Sequence, residues 1–351
     1  METDSRTATR RRIPEQVVGV VHYGLGPIGR AVAALVAERQ WLRSVAAVDM
    51  ADDLRGSQLG DVIGRPSPGS PSVTQELPTA SGAAVALHCT GSSLERVASQ
   101  LLELVDAGLH VVSTCEELSY PWAAHPELAE RIDAAAAGRG VTVLGTGVNP
   151  GFAMDYLVVA LAAAAQRVDG VSVHRVQDAG TRRLPLQRKV GAGMDRAAFE
   201  AEAAAGGRGH VGLTESVHAL AAALGLPVTE VRETIEPILA RVATPMSEGV
   251  IAPGQVAGIH QRAEGRTADA VVVELILDMA VGIGPASDHV RLRGLPDLEL
   301  DIPGGLPGDL VTAAIVVNAI PQVLAAAPGL RVMSELPPPT PAPCTSACGS
   351  P

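Results

Sequence analysis

The chain has 351 residues, of which 47% are apolar and 19% charged, with a formal net charge of −11. That length supports two domains with separate cores, and the balance is that of a globular rather than a disordered chain. The acidic excess, with one contiguous basic run at Arg10–Arg12, excludes the usual basic nucleic-acid binder and leaves a small molecule as the expected partner.

No apolar stretch reads as long enough to span a membrane and no apolar segment stands behind the N-terminal arginines, so no membrane association and a cytoplasmic location are expected. Residues 1–13 read as a disordered extension and 337–351 as a Pro-rich tail. Cys89 and Cys115 lie in the body of the chain, Cys344 and Cys348 in the tail. The tail pair lacks a second ligand pair, so no metal is expected.

In chain order, residues 17–23 form a short β-branched run that ends at a glycine cluster and predicts a buried parallel strand. Helical spacing follows over 28–39, then a second strand over 44–48 closed by Asp49. Residues 50–80 are rich in Gly, Pro and Ser and show no clear period. Strand 83–89, helix 94–107, strand 110–113, helix 126–137 and strand 141–144 resume the alternation. Such a series predicts βαβ units and a Rossmann-type, doubly wound parallel sheet over 14–150. A helix over 152–165 leads into a second, α+β domain, 151–305. There the pattern predicts a strand at 171–177, a polar loop at 182–194, and helices at 213–224 and 229–240. Strands near 248–260, 270–281, 288–293 and 297–302 predict a mostly antiparallel sheet. A last helix, 309–326, packs back on the first domain, so that 306–334 belongs with it.

Gly24-Leu-Gly26-Pro27-Ile28-Gly29 stands between a predicted strand and a predicted helix. Its first glycine permits the turn, the second lets backbone approach a pyrophosphate, and the third lets helix and strand pack closely. The helix start offers free N–H groups to phosphate. Asp49, 20 residues after Gly29, stands where a carboxylate bonds adenosine ribose hydroxyls. NAD is the simpler cofactor and Arg55 keeps NADP open. Thr90 and Gly91, after the strand at 83–89, fall at the same sheet edge and read as cofactor contacts; Ser92 and Ser93 read as helix caps.

The strand at 110–113 runs into Cys115, Glu116, Glu117, Tyr120 and Trp122, an unusual cluster in a chain with seven aromatic residues. Hydride transfer from a carbinol or amine needs a base, and either Glu116 or Glu117 serves if the aromatic rings desolvate it; otherwise both are solvated helix-start residues. Cys115 has no local base or cation and reads as packing. Asn149-Pro-Gly151 places an amide near the nicotinamide or is a simple turn. Lys189 is the single lysine beside 26 arginines, in a loop with Arg182 and Arg183 that either holds an anionic group or is solvated. His174 is a structural or pocket histidine, and Gly308-Asp309 caps the last helix or lines the cleft.

On these segments the chain resembles the 2,4-diaminopentanoate dehydrogenases and related native amine dehydrogenases, within the wider set that has a dihydrodipicolinate-reductase-like N-terminal domain. The residues that carry the resemblance are Ser113–Trp122, Gly145–Phe152, Arg183–Gly193, Gly308–Ala314 and Val317–Pro321. It implies NAD- or NADP-dependent oxidative deamination of a primary amine, a diamino acid among the candidates, to a ketone and ammonia, and the reverse amination. It also implies a catalytic glutamate in the Glu116-Glu117 pair, with Glu116 favoured. Cofactor contacts would be Gly24, Gly26, Pro27, Ile28, Gly29, Asp49, Thr90, Gly91 and Asn149. The substrate pocket would draw on Tyr120, Trp122, Val148, His174, Gln177, Lys189 and Thr312, and members are homodimers built through the second domain. True dihydrodipicolinate reductases carry paired histidines, then Lys and Pro-Ser-Gly-Thr, where this chain reads His-Arg-Val-Gln-Asp-Ala-Gly-Thr-Arg from 174. Other readings are an imine or alcohol/carbonyl oxidoreductase on the same fold, and a non-catalytic nicotinamide-binding sensor.

Overall fold

The computed structural model describes residues 17–79, 82–181 and 184–341, apart from the side chains of Thr181 and Pro185. The extension 1–13, Arg182, Arg183, Cys344, Cys348 and most of the Pro-rich tail lie outside the described residues.

The first half forms β1 (Val18–Tyr23), α1 (Pro27–Ala37), β2 (Leu42–Val48), α2 (Leu59–Val62), β3 (Val73–Thr74), β4 (Val85–His88), α3 (Leu94–Asp106), β5 (His110–Ser113), α4 (Pro126–Arg139) and β6 (Thr142–Gly145), alternating as its sequence predicts except that α2 and β3 arise in the stretch 50–80, where the sequence shows no clear period. These strands form a parallel sheet in the order β6-β5-β4-β1-β2-β3. Both faces are covered, which is why its strands are almost wholly apolar. Along β1, Val18 and Val20 face one core while Val21 and Tyr23 face the other, as a period of two requires. The order reverses between β1 and β4, so the crevice beyond their carboxyl ends is the place where such sheets bind ligands. The Gly-rich loop follows β1, and Cys89–Ser93 follows β4.

The chain then forms α5 (Tyr156–Ala162), β7 (Arg167–Asp178), α6 (Leu184–Lys189), α7 (Arg196–Ala204), α8 (Leu213–Leu224), β8 (Glu230–Leu239), β9 (Thr244–Met246), β10 (Gly249–Ile251), β11 (Val256–Arg266), β12 (Val271–Ala280), β13 (Ser287–Leu295) and β14 (Leu298–Pro303). Six of them make a second sheet, β14-β13-β7-β12-β11-β8, antiparallel except where β7 runs parallel to β12. The chain returns through α9 (Gly308–Asn318), α10 (Ile320–Ala325) and β15 (Gly329–Arg331), which extends the first sheet beside β6.

Four expectations change. Residues 229–240 form the strand β8, not a helix. Val231, Ile235 and Ile238 mimic helical spacing, but Pro237 has no N–H and is tolerated because β8 is an edge strand. The loop at 182–194 contains α6, which the buried side chain of Gln187 anchors by donating to the carbonyls of Ala179 and Gly180. The helix at 152–165 shrinks to α5, because Asp155 caps Tyr156 and also accepts from Gly151 N and the Ser216 hydroxyl. Finally, Gly308–Ala325 is apolar enough over 18 residues to cross a membrane by length and composition. It is two helices rather than one, with Pro321 in the first turn of α10, and both pack into the large core under the first sheet.

Candidate active site

A cleft of about 380 Å³ opens beyond the carboxyl ends of β1, β4 and β5. Its end at the Gly-rich loop is made by Gly26, Pro27 and Ile28, with Thr90 and Gly91 also in the lining. Gly24 has φ +93°, open to glycine and strained for other residues. A side chain on Gly29 would overlap the Gly24 carbonyl, whereas one on Gly26 would meet nothing and would fill the space over the loop. Asp49 stands at the outer edge of this loop rather than in the cleft wall, where its carboxylate accepts from Leu25 N at 2.5 Å and Ala51 N at 2.8 Å. The other end holds two buried polar atoms with no partner, Thr146 Oγ1 and Asn149 Oδ1, both on cleft-lining residues. Buried acceptors of this kind require a ligand or water donor, and a nicotinamide carboxamide supplies one. The lining therefore fits a dinucleotide from its phosphate end to its nicotinamide end.

Glu116 and Glu117 begin a short 3₁₀ turn after β5 and diverge. Glu116 lines the cleft; burial pushes its carboxyl above the usual carboxylate range, while Lys189 and the Ser92 hydroxyl oppose that rise. Glu117 faces away, accepting from Leu94 N at 2.6 Å and lying 3.1 Å from His125 Nε2. It thus does the capping expected of Ser92 and Ser93: Ser93 occupies the cap position of α3 without a side-chain bond, and Ser92 lines the cleft beside Glu116.

The residues facing Glu116 come from both sheets. Arg175 and Gln177 of β7 sit opposite Leu277 and Met279 of β12, and α6 adds Leu186 and Lys189. Arg175 is buried, bonds Asp288 at 2.5 Å and donates to Leu306 O, while Leu306 N donates to Asp288; the buried pair ties the second sheet to the segment leading into α9. In α9, the Thr312 hydroxyl accepts from Val148 N and so fixes the turn that carries Asn149. His210 donates from Nε2 to Asn149 O at 2.9 Å, and burial lowers its pKa to about 4. The ring is neutral and leaves Nδ1 as an acceptor.

The C-terminal half, residues 152–346, matches the family model for the 2,4-diaminopentanoate dehydrogenase C-terminal domain. A 2,4-diaminopentanoate dehydrogenase of Acetoanaerobium sticklandii is 31% identical over 333 residues, 92% of this chain and 94% of that one. The chain belongs to the 2,4-diaminopentanoate dehydrogenase family. It is accordingly an NAD(P)-dependent oxidoreductase acting on an amino group. An amine dehydrogenase from Mycobacterium smegmatis superposes with a TM-score of 0.82 at 25% identity, covering 94% of this chain and 99% of that one. A dihydrodipicolinate reductase from Paenisporosarcina sp. TG-14 shares the fold, with a TM-score of 0.52 at 13% identity over 91% of this chain and 99% of that one.

For this family member, the cleft brings together Glu116 with Gly26, Pro27, Ile28, Thr90, Gly91, Val148, Asn149, Gln177, Lys189 and Thr312. Three expected pocket residues are elsewhere. Tyr120 and Trp122 contact each other edge-on at 5.4 Å, and Tyr120 stacks on His218 of α8 at 6.2 Å; the 3₁₀ turn carries both rings away, and the cleft's own apolar wall desolvates Glu116 instead. His174 points to the opposite face of the second sheet, where it and His260 share the Asp278 carboxylate at 2.7 and 2.6 Å. Strand alternation carried the signal: a pocket that includes Gln177 takes Arg175, not His174. His210, Leu186, Leu277 and Met279 were also missed, since nothing local in the sequence marks them.

Proposed function

We propose that the cleft oxidises a primary amine to a ketone and ammonia, with Glu116 as the proton acceptor, and runs the amination in reverse. The observation that carries this reading is the position of Glu116: a desolvated carboxylate lining the same cleft as the fingerprint loop and Asn149. A bound nicotinamide supplies a two-electron hydride acceptor. Glu116 takes the proton of the substrate ammonium, freeing the nitrogen lone pair that drives loss of hydride from the α-carbon. Once that proton has passed to solvent, the carboxylate takes a proton from the water that adds to the imine carbon and returns it to the nitrogen, so that the carbinolamine collapses to the ketone and nitrogen leaves as ammonia, carrying off the hydroxyl proton as ammonium. Asn149 Oδ1 and Thr146 would hold the nicotinamide end, Gly26–Ile28, Thr90 and Gly91 the phosphates and ribose, and Asp49 the adenosine ribose. Glu117 maintains the turn.

The Acetoanaerobium relative is named for a diamino acid, and a compact diamino acid is the substrate class we place first. We infer a domain division at 14–150 and 151–305, with 306–334 returning to the first, and the separation of the described strands into two main sheets supports it. The half-exposed sheet face of His174, His260 and Asp278 supports a homodimer through the second domain, and the free thiols of Cys89 and Cys115 suit a reducing, cytoplasmic setting. Reduction of NAD⁺ or NADP⁺ is followed with a panel of amines, diamino acids and alcohols at alkaline pH. Amine-dependent reduction is the expected result. Activity with alcohols alone makes the protein a carbonyl oxidoreductase, and cofactor binding without turnover makes it a sensor.

A further inference from the structure

We propose that Lys189 is the positioning residue of Glu116: from α6 it lines the same cleft, and its ammonium there holds the Glu116 carboxylate ready to accept a proton. This rests on the reading of Glu116 as the base. Three observations converge on it. Lys189 is the single lysine in a chain with 26 arginines, so this position has kept the compact cation where every other basic site uses the planar one. It forms no ion pair among the described residues, yet it lines the same cleft as Glu116 and also a neighbouring hollow of about 840 Å³. And its backbone is anchored. Leu186 and Lys189, three residues apart, share the cleft face of α6, while buried Gln187 bonds Ala179 O, Gly180 O and Ser247 N. Arg208 closes the end of the helix on the Arg188 carbonyl.

The charges around Glu116 leave Lys189 as the compensating one. Glu117, on the same turn, and Asp309, in the cleft lining at the start of α9, are like charges, and Glu117, Glu200, Glu215, Glu233 and Glu236 line the neighbouring hollow that Lys189 also borders; Cys115 beside Glu116 is held as a neutral thiol, its pKa raised to about 12 by burial. Ser92 contributes a hydroxyl. Arg175 is bonded to Asp288, and His210 is neutral. Burial alone favours the protonated acid, and an opposite charge within a few ångströms lowers a carboxyl by roughly one to three units. Lys189 is the principal charge acting in that direction.

The test is the pH profile of kcat/KM for wild type, Lys189→Met and Lys189→Arg, with NADH affinity and circular dichroism measured on each. Lys189→Met is expected to move the acid limb upward by about one unit or more. Lys189→Arg should keep the limb in place while raising KM, because the longer side chain takes cleft volume. The ionisation of Glu116 is also read without turnover, from the carboxylate infrared band that wild type has and Glu116→Gln lacks. That band should titrate at higher pH in Lys189→Met. An acid limb and infrared titration unmoved in Lys189→Met overturn the proposal, even if KM rises, and so does a limb that moves equally in Lys189→Arg. Full turnover in Glu116→Gln instead defeats the reading of Glu116 itself.

Discussion

The end of the cleft at the Gly-rich loop is held by chain that closes on itself, whereas the end around Glu116 is assembled from segments far apart in sequence. Gly24–Gly29 lies between β1 and α1, and Asp49 bonds back to the amide of Leu25 inside that loop. Glu116, by contrast, faces Lys189, His210, Leu277 and Met279, which come from α6, the loop before α8, and β12. The first end is a property of one parallel sheet. The second exists only while the second sheet and α9 stay docked, and much of that docking passes through Arg175, Asp288 and Leu306. The two ends should therefore fail separately.

The largest expected effect comes from Asp288→Asn, which leaves the buried Arg175 guanidinium without its carboxylate. Breaking a buried pair from one side costs about 3–5 kcal/mol. Chemical denaturation should show that loss, and KM for the amine should rise while the NADH dissociation constant stays put. A parallel loss of NADH affinity would break the separation. Asp49→Ser should do the reverse. A bond to a charged acceptor is worth about 1.5–3 kcal/mol, so NADH affinity should fall about tenfold or more, and discrimination against NADPH should narrow, as read by cofactor fluorescence titration. The smallest effect is that of Glu117→Gln. Loss of its cap on α3 should cost about 1 kcal/mol in thermal or denaturant unfolding, with turnover within a few-fold of wild type.

The same division explains what the sequence disclosed. The parallel sheet and the fingerprint follow from period and spacing over short stretches, so β1 to β6 and the cofactor end were legible. Glu116 was legible as one of a pair, but only tertiary placement separates it from Glu117, because the 3₁₀ turn sends adjacent residues in different directions. Tyr120 and Trp122 were misplaced for the same reason. Residues 229–240 read as a helix because Val231, Ile235 and Ile238 fall at helical spacing, and pairing with β11 makes Glu230–Leu239 a strand. Arg175 and His210 carry no local pattern, since their roles arise from partners 113 and 61 residues away in the chain.

The central claim is that Glu116, and not its neighbour, handles the amine proton. Single-turnover reduction of NAD⁺ by a competent amine, compared in Glu116→Gln and Glu117→Gln with NADH affinity measured on the same samples, tests it directly. Glu116→Gln should lose about 10²–10⁴-fold at unchanged NADH affinity, and Glu117→Gln should change by no more than a few-fold. Near-normal hydride transfer in Glu116→Gln, or an equal loss in both variants, would contradict it.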